Sequence, residues 1–114
     1  MKIEKFEDII VWQKSKVLTL EIYKTFRESR DYDFKRHIQR TAISVMNNIA
    51  EGFEKKTNKE FIRFLYISKG SCGEVRSMLY LALELGYISQ VTFDDLYNMS
   101  LEISKMLSGL IKSL

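Results

Sequence analysis

The chain has 114 residues, with no proline, five glycines, one cysteine and one histidine. Its length is typical of one domain, residues 1–114, and the single cysteine excludes a disulfide framework. One histidine and one cysteine also exclude an ordinary zinc cluster. Lysine and arginine number 18 against 15 acids, a formal charge of +3 that neither requires nor excludes a nucleic-acid partner. The lack of proline and the few glycines favour long helices over a turn-rich β-sandwich.

Four helices are predicted, over about residues 8–28, 34–53, 58–85 and 92–112. In the first, Val11 and Leu18 belong to an apolar stripe at helical spacing. Asp8 is its expected N-cap, because a carboxylate there can accept the free amides of the first turn. The short polar side chains of residues 29–33 compete with helical hydrogen bonds and predict its end.

The second helix carries two apolar stripes, and a polar stripe runs beside them. The apolar residues are Ile38, Ala42, Val45 and Ile49 in one stripe and Ile43, Met46, Ala50 and Phe53 in the other. This arc is wider than one neighbouring helix needs. Because enclosed polar groups must bond one another, the polar side chains are predicted to form a structural network, with a ligand- or RNA-binding site as the alternative. The predicted members are Arg40, Ser44, Asn48 and Glu51, with Glu74 from the third helix.

The third helix opens on a capping box, in which the Thr57 hydroxyl accepts from the Glu60 amide and the Glu60 carboxylate reaches back. Gly70 and Gly73 lie inside it and together cost about 2 kcal/mol of helix propensity relative to alanine. Either the helix breaks there, or the small residues let another backbone approach. Because the apolar periodicity continues in phase, we expect a continuous helix with close packing at the glycines. Gly86 is expected to end the helix, since glycine adopts positive φ without strain.

The fourth helix is predicted to begin at a weaker capping box, Thr92 to Asp95. Leu96, Met99 and Ile103 then recur at helical spacing. Short connections make consecutive helices antiparallel. The predicted fold is therefore all-α, an antiparallel up-down-up-down four-helix bundle.

The sequence offers little catalytic chemistry. His37 has no partners that complete a ligand set and is interpreted as a surface histidine. Cys72 lies on an apolar helix face and is interpreted as a small buried residue, since no base is placed to form its thiolate. We expect no enzymatic activity, metal or cofactor. No signal peptide or membrane-spanning segment is recognisable, and the single thiol fits a reducing compartment, so a cytoplasmic location is expected.

Seven basic residues are candidates for contact with nucleic-acid phosphates. They are Lys35, Arg36 and Arg40 on the second helix, with Lys55, Lys56, Lys59 and Arg63 near the junction of the second and third. Such contacts are independent of base sequence and sensitive to salt.

Two stretches of the chain resemble a known bacterial family: residues 37–53, HIQRTAISVMNNIAEGF, and residues 60–87, EFIRFLYISKGSCGEVRSMLYLALELGY. It is the four-helix-bundle family that includes proteins encoded in intervening sequences of 23S rRNA genes. The opening FEDIIVWQKS and the closing ISKMLSGLIKSL are also similar to it. Positions that agree are Arg40, Ala42, Ser44, Asn48, Ile49, Ala50, Glu51, Gly52, Gly70, Ser71 and Glu74. The chain departs from the family at Met46, where proline is frequent, and at Gln39, where a second basic residue is frequent.

The resemblance implies a cytoplasmic bundle without a known enzymatic activity, whose relatives assemble into ring-shaped homopentamers. A similar bundle serves diversity-generating retroelements as an accessory protein that binds nucleic acid and a reverse transcriptase. Our first hypothesis is a non-enzymatic homo-oligomer that binds structured RNA or DNA through a basic surface pooled across its copies. The alternative is a scaffold that presents its surface to a protein partner and has no direct nucleic-acid role. In both, the excess apolar surface of the second and third helices contacts further copies of the chain.

Overall fold

Four long helices follow a single turn of 3₁₀ helix at Phe6–Asp8. They are α1 Ile10–Phe26, α2 Tyr32–Phe53, α3 Asn58–Glu84 and α4 Gln90–Ser113. The computed structural model describes residues 3–114, and no strand occurs within that range. Consecutive helices run antiparallel and α1 also packs against α4, which closes a bundle of 43 × 22 × 19 Å. The predicted all-α four-helix bundle is confirmed.

Three of the helices begin at a side-chain cap. Asp31 accepts from the amide of Phe34 at 3.1 Å, and Thr57 accepts from the amide of Glu60 at 3.2 Å, as the capping box predicts. The Glu60 carboxylate, however, bonds Arg63 at 3.2 Å instead of reaching back. Each cap satisfies an amide that would otherwise lack a partner in the first turn.

Two predicted helix starts are wrong. Asp8 lies in the 3₁₀ turn and caps nothing, because α1 begins after Ile9, which makes no side-chain capping bond. The fourth helix begins at Gln90 rather than at Thr92, because the Ser89 side chain already accepts from the Thr92 amide at 3.2 Å. The first helix therefore begins after its predicted cap, and the fourth begins before its predicted cap.

The core runs the length of the bundle and takes side chains from all four helices. Its largest fully buried members are Leu18, Ile22 and Phe26 of α1, Ile38, Val45 and Ile49 of α2, Leu65, Val75, Cys72 and Leu79 of α3, and Ile103 and Leu107 of α4. Hydroxyl groups join the helices through backbone carbonyls: Thr19 donates to Ala42 at 3.2 Å, and Ser68 donates to Val45 at 2.6 Å. These bonds fix the positions of α1 and α3 against α2.

Part of the exposed apolar surface lies on α1, where the sequence did not predict it. The second apolar stripe of α2 is half-buried within the chain, from Ile43 to Phe53. Exposed apolar side chains lie instead on α1, at Ile10, Val17 and Leu20, and on α3, at Ile67, Leu81 and Leu85. The prediction that excess apolar surface of α2 and α3 contacts further copies of the chain stays a prediction.

Close packing occurs at a different glycine from the ones that the sequence predicts. α3 is continuous through Gly70 and Gly73, as expected, and Gly86 follows it with φ of 76°. A Cβ at Gly70 would have no atom within 4 Å, so no close packing occurs there within the chain. The close approach is at Gly52, where a Cβ would lie 2.6 Å from the Cβ of Phe64. Gly52 is thus the glycine that lets α2 and α3 meet.

Candidate nucleic-acid interface

The seven candidate basic residues do not form one patch. Lys35 and Arg36 lie at the start of α2, and Lys55 lies just past its end. At 1.5 Å per residue, Lys35 and Lys55 are separated by about 30 Å along the helix axis. The candidates therefore form a group at each end of the bundle, with Arg40 nearer the first.

The group at the start of α2 is largely engaged within the chain. Lys35 is half-buried and donates to the carbonyl of Arg27 at 2.8 Å, where it stabilises the carboxyl end of α1. Arg36 forms an ion pair with Asp33 at 3.3 Å. Arg40 is exposed, and no acid of residues 3–114 lies within ion-pair distance of it. Arg40 is thus the one cation of these three for which neither a hydrogen bond nor an ion pair was described.

The second group surrounds one aromatic ring. The Lys55 ammonium lies 5.2 Å from the ring centre of Phe64, and the Arg63 guanidinium lies 4.6 Å from the same centre. Both cations are attracted to the negative face of the ring. They are therefore held within about 10 Å of each other, as the two distances to one ring require. We call Lys55, Lys56, Lys59 and Arg63 the basic junction.

The fold fixes the ring that holds these cations. Phe64 is mostly buried, and Gly52 leaves room for it beneath α2. Phe61, one turn before it, meets Phe53 edge to face at 5.8 Å between ring centres. These aromatic contacts join the end of α2 to the start of α3, so the basic junction stands on a rigid base.

Acidic residues beside the basic junction form ion pairs with two of its four cations. Lys55 is 3.9 Å from the Glu51 carboxylate, and Arg63 is 3.2 Å from the Glu60 carboxylate. The bond from Arg63, followed by its charge, lowers the pKa of the Glu60 carboxyl. Lys56 and Lys59 are exposed and have no acidic partner within ion-pair distance among residues 3–114. They are the cations most available to an outside anion.

An open cleft of about 470 Å³ lies beside the basic junction. Its lining includes Lys55, Lys56, Asn58, Phe61 and Leu114. The cleft opens at the end of the bundle where α2 and α4 finish and α3 begins. Two of the four junction cations thus border a recess rather than a flat surface.

The predicted polar network exists in a smaller form. The Ser44 and Ser71 hydroxyls lie 2.9 Å apart, and the Asn48 amide donates to the Ser44 carbonyl at 2.8 Å and to its hydroxyl at 2.9 Å. Ser71 was missed as a member, although it stands beside Gly70 in the matching motif. These three half-buried or buried side chains join α2 to α3.

The other predicted members lie outside this network. Arg40, Glu51 and Glu74 are exposed, and Glu51 is engaged by Lys55. The prediction of one enclosed network of five side chains is therefore too broad. The reason is their place on the helix: these three project from the outer edge of the α2–α3 contact, where water can solvate them.

The lone histidine and cysteine are placed as expected. His37 is exposed on α2. Cys72 is buried, and its thiol donates to the Ser100 carbonyl at 3.0 Å. Burial raises the pKa of this thiol, which favours the unreactive neutral form. Within residues 3–114, no three His, Cys, Asp or Glu side chains are grouped to hold a metal ion. None of the described helices is long and apolar enough to cross a bilayer.

Comparison with known proteins places this chain in a family. A solved structure from Bacteroides thetaiotaomicron, described as a protein with unknown function from the S23 ribosomal protein family, is 28% identical in sequence. The match covers 90% of this chain and 98% of that one, with a TM-score of 0.84. No curated protein matches the chain. The family model described as 23S rRNA-intervening sequence protein matches residues 7–109. The chain belongs to the 23S rRNA-intervening sequence protein family.

Proposed function

We propose that this protein is a non-enzymatic homo-oligomer that binds nucleic acid, and structured RNA in particular, through the basic junction. The observation that carries the proposal is the pair of exposed cations, Lys56 and Lys59, which have no acidic partners among the described residues. Beside them, Lys55 and Arg63 are held on the ring of Phe64. A fixed cation next to free cations is suited to the phosphates of a nucleic-acid backbone.

The family's description refers to intervening sequences of 23S rRNA, which makes structured RNA the first nucleic acid to test. A charge of +3 per chain is small for a nucleic-acid-binding protein. In an oligomer, however, several basic junctions act together, and their potentials add. Weak contacts by single chains would then combine into tighter binding by the assembly.

Self-association is supported by the exposed apolar side chains of α1 and α3. Leu20 is 53% exposed and Leu81 is 49% exposed, and each has an apolar neighbour on its own helix. Apolar side chains grouped on a surface are typical of protein–protein contacts. A ring of five copies, which the family resemblance implies, is the arrangement that we propose. The predicted cytoplasmic location stays a prediction.

The proposal is tested by binding of the full chain to a structured RNA across about 50–300 mM salt. We expect measurable affinity at low salt and a linear fall of log affinity with log salt, because phosphate contacts release bound cations. Light-scattering mass, measured in parallel, should exceed that of one chain. No measurable affinity at the lowest salt would contradict RNA binding, and a monomeric mass would contradict the oligomer.

A protein-interaction scaffold is a second candidate, favoured by the same exposed apolar side chains on α1 and α3. The two candidates predict different results when a partner is captured from a nuclease-treated lysate. If the protein acts as a scaffold, a partner captured from nuclease-treated lysate remains bound, and the purified protein has no affinity for RNA. If the protein binds RNA, nuclease releases what the basic junction holds.

A further inference from the structure

One exposed row of α3 continues from the basic junction toward the middle of the bundle. It consists of Lys59, Arg63, Tyr66 and Gly70, spaced by four, three and four residues, so that all four lie on one side of the helix. Lys59, Arg63 and Tyr66 are exposed. This row places an aromatic ring next to two cations of the basic junction.

Tyr66 is 58% exposed, and its ring has no aromatic partner among the described residues. Tyr80 on the same helix is also exposed, but it packs against Phe93 and Tyr97, at 5.0 and 5.6 Å between ring centres. The Tyr66 hydroxyl likewise has no hydrogen-bond partner within residues 3–114. Its ring is thus free to contact something outside the chain.

Gly70, one turn after Tyr66, adds no side chain to the exposed row. Side chains on a helix lean toward its amino end, so a side chain at position 70 would lie over Tyr66. The space at Gly70 is open, with no atom within 4 Å of a Cβ placed there. The fold gains nothing from this glycine, since a glycine inside a helix is less favourable than alanine. Its lack of a side chain instead leaves the helix surface next to Tyr66 open.

We propose that Tyr66 and Gly70 form a stacking site for one unpaired nucleobase, whose adjoining phosphates contact Lys59 and Arg63. This inference rests on the proposed nucleic-acid function and adds the class of target, an RNA with an unpaired base rather than a continuous duplex. Aromatic rings beside cations bind single-stranded segments in this manner, with the base on the ring and the backbone on the cations. Glu60 bonds Nε of Arg63, and the two terminal nitrogens of that guanidinium remain for a phosphate. Glu74, one turn past Gly70, ends the row with a negative charge that repels a further phosphate.

The test compares two RNA hairpins with the same stem sequence, each closed by a non-nucleotide linker in place of a loop, one with a continuous stem and one with a single bulged fluorescent adenine analogue. The wild-type chain is expected to bind the bulged hairpin more tightly and to quench its fluorescence, since stacking shields the base. Tyr66→Ala is expected to lower affinity for the bulged hairpin by about fivefold or more and to leave the paired hairpin unaffected. Tyr66→Phe is expected to keep the preference for the bulged hairpin, because the ring remains. Gly70→Leu is expected to abolish this preference, because the leucine side chain would cover the ring.

Tyr32→Ala is the matched control, since Tyr32 is 60% exposed and lies at the opposite end of the bundle. Equal affinity of the two hairpins in every variant would overturn the stacking site, while salt-dependent binding of both would leave the proposed function standing. No binding of either hairpin at low salt would contradict both proposals. A change of oligomer mass in Tyr66→Ala or Gly70→Leu would show that this row contacts a second copy, which also overturns the stacking site.

Discussion

At one end of the bundle, Tyr87 donates to the carboxylate of Asp31 at 2.6 Å, and its ring meets Phe34 edge to face at 5.5 Å between centres. At the other end, Lys56 in the connection between α2 and α3 and Lys59 in the first turn of α3 are exposed to solvent. The side chains of Asp31 and Tyr87 at the first end satisfy one another and hold two helix connections together. Polar groups at the second end are in part unpaired. The first end therefore contributes to stability, and the second is available for binding.

The largest expected effect comes from the aromatic cluster at the Asp31–Tyr87 end. Phe26 is fully buried and packs against Phe34 at 5.5 Å between ring centres. Phe26→Ala is expected to lower the free energy of unfolding by about 3–5 kcal/mol, because it leaves a cavity. Urea unfolding followed by circular dichroism measures this loss. If the ends have separate roles, the variant that remains folded binds RNA as the wild type does.

Two glycine substitutions separate the close contact beneath the basic junction from the open row beside it. Gly52→Ala is expected to lower stability by about 1–3 kcal/mol, because the new Cβ overlaps Phe64. Gly70→Ala is expected to raise stability by about 0.5–1 kcal/mol, because its site is open and alanine favours the helix. Urea denaturation of both variants measures whether each substitution raises or lowers the free energy of unfolding. The same sign for both would contradict the described packing of α2 against α3.

A smaller effect is expected from the Asp31–Tyr87 bond. The hydroxyl of Tyr87, followed by the amide of Phe34, lowers the pKa of Asp31, and the bond to Asp31 raises the pKa of Tyr87. The carboxylate's contribution is present above its ordinary pKa of 3.8 and is lost as pH falls through the lowered value. The phenol's contribution is present below 10.0 and is lost as pH rises through the raised value.

Tyr87→Phe is therefore expected to lower the melting temperature by a few degrees at most near neutral pH. The difference from wild type should shrink in acid below the Asp31 transition and in base above the Tyr87 transition. Thermal melts across that pH range measure it, with Tyr32→Phe as the control because Tyr32 has no such partner among the described residues. A difference that stays constant with pH would show that the bond does not form.

Local sequence patterns were sufficient for the four helices, because apolar spacing and the cap at Thr57 act within one or two turns. They were insufficient for contacts between distant residues. Asp31 and Tyr87 are 56 positions apart, and nothing near either of them indicates that they meet. Gly52 and Gly70 both lie within helices, yet only Gly52 faces another helix. Which glycine is tightly packed depends on how α3 lies against α2.

The candidate site was likewise predicted only in part, because some of its contacts join residues that are distant in sequence. The cations of the basic junction are close in sequence, so their grouping could be predicted. Their common ring is that of Phe64, and its contact with Lys55 depends on how α2 and α3 meet. Helix length alone separates Lys35 from Lys55 by about 30 Å. The engagement of Lys35 by the Arg27 carbonyl, in contrast, required the structure.

The most direct test of the role of the basic junction removes two positive charges from each end in turn. Lys56→Gln with Lys59→Gln acts on the basic junction, and Arg27→Gln with Arg30→Gln makes the same change in net charge at the Asp31–Tyr87 end. RNA affinity is measured for both double variants across the salt range. We expect the junction variant to lose about tenfold or more in affinity and to show a salt slope shallower by about two, with the control close to wild type. Equal losses in both variants would show that RNA responds only to net charge and would contradict a binding site at the basic junction.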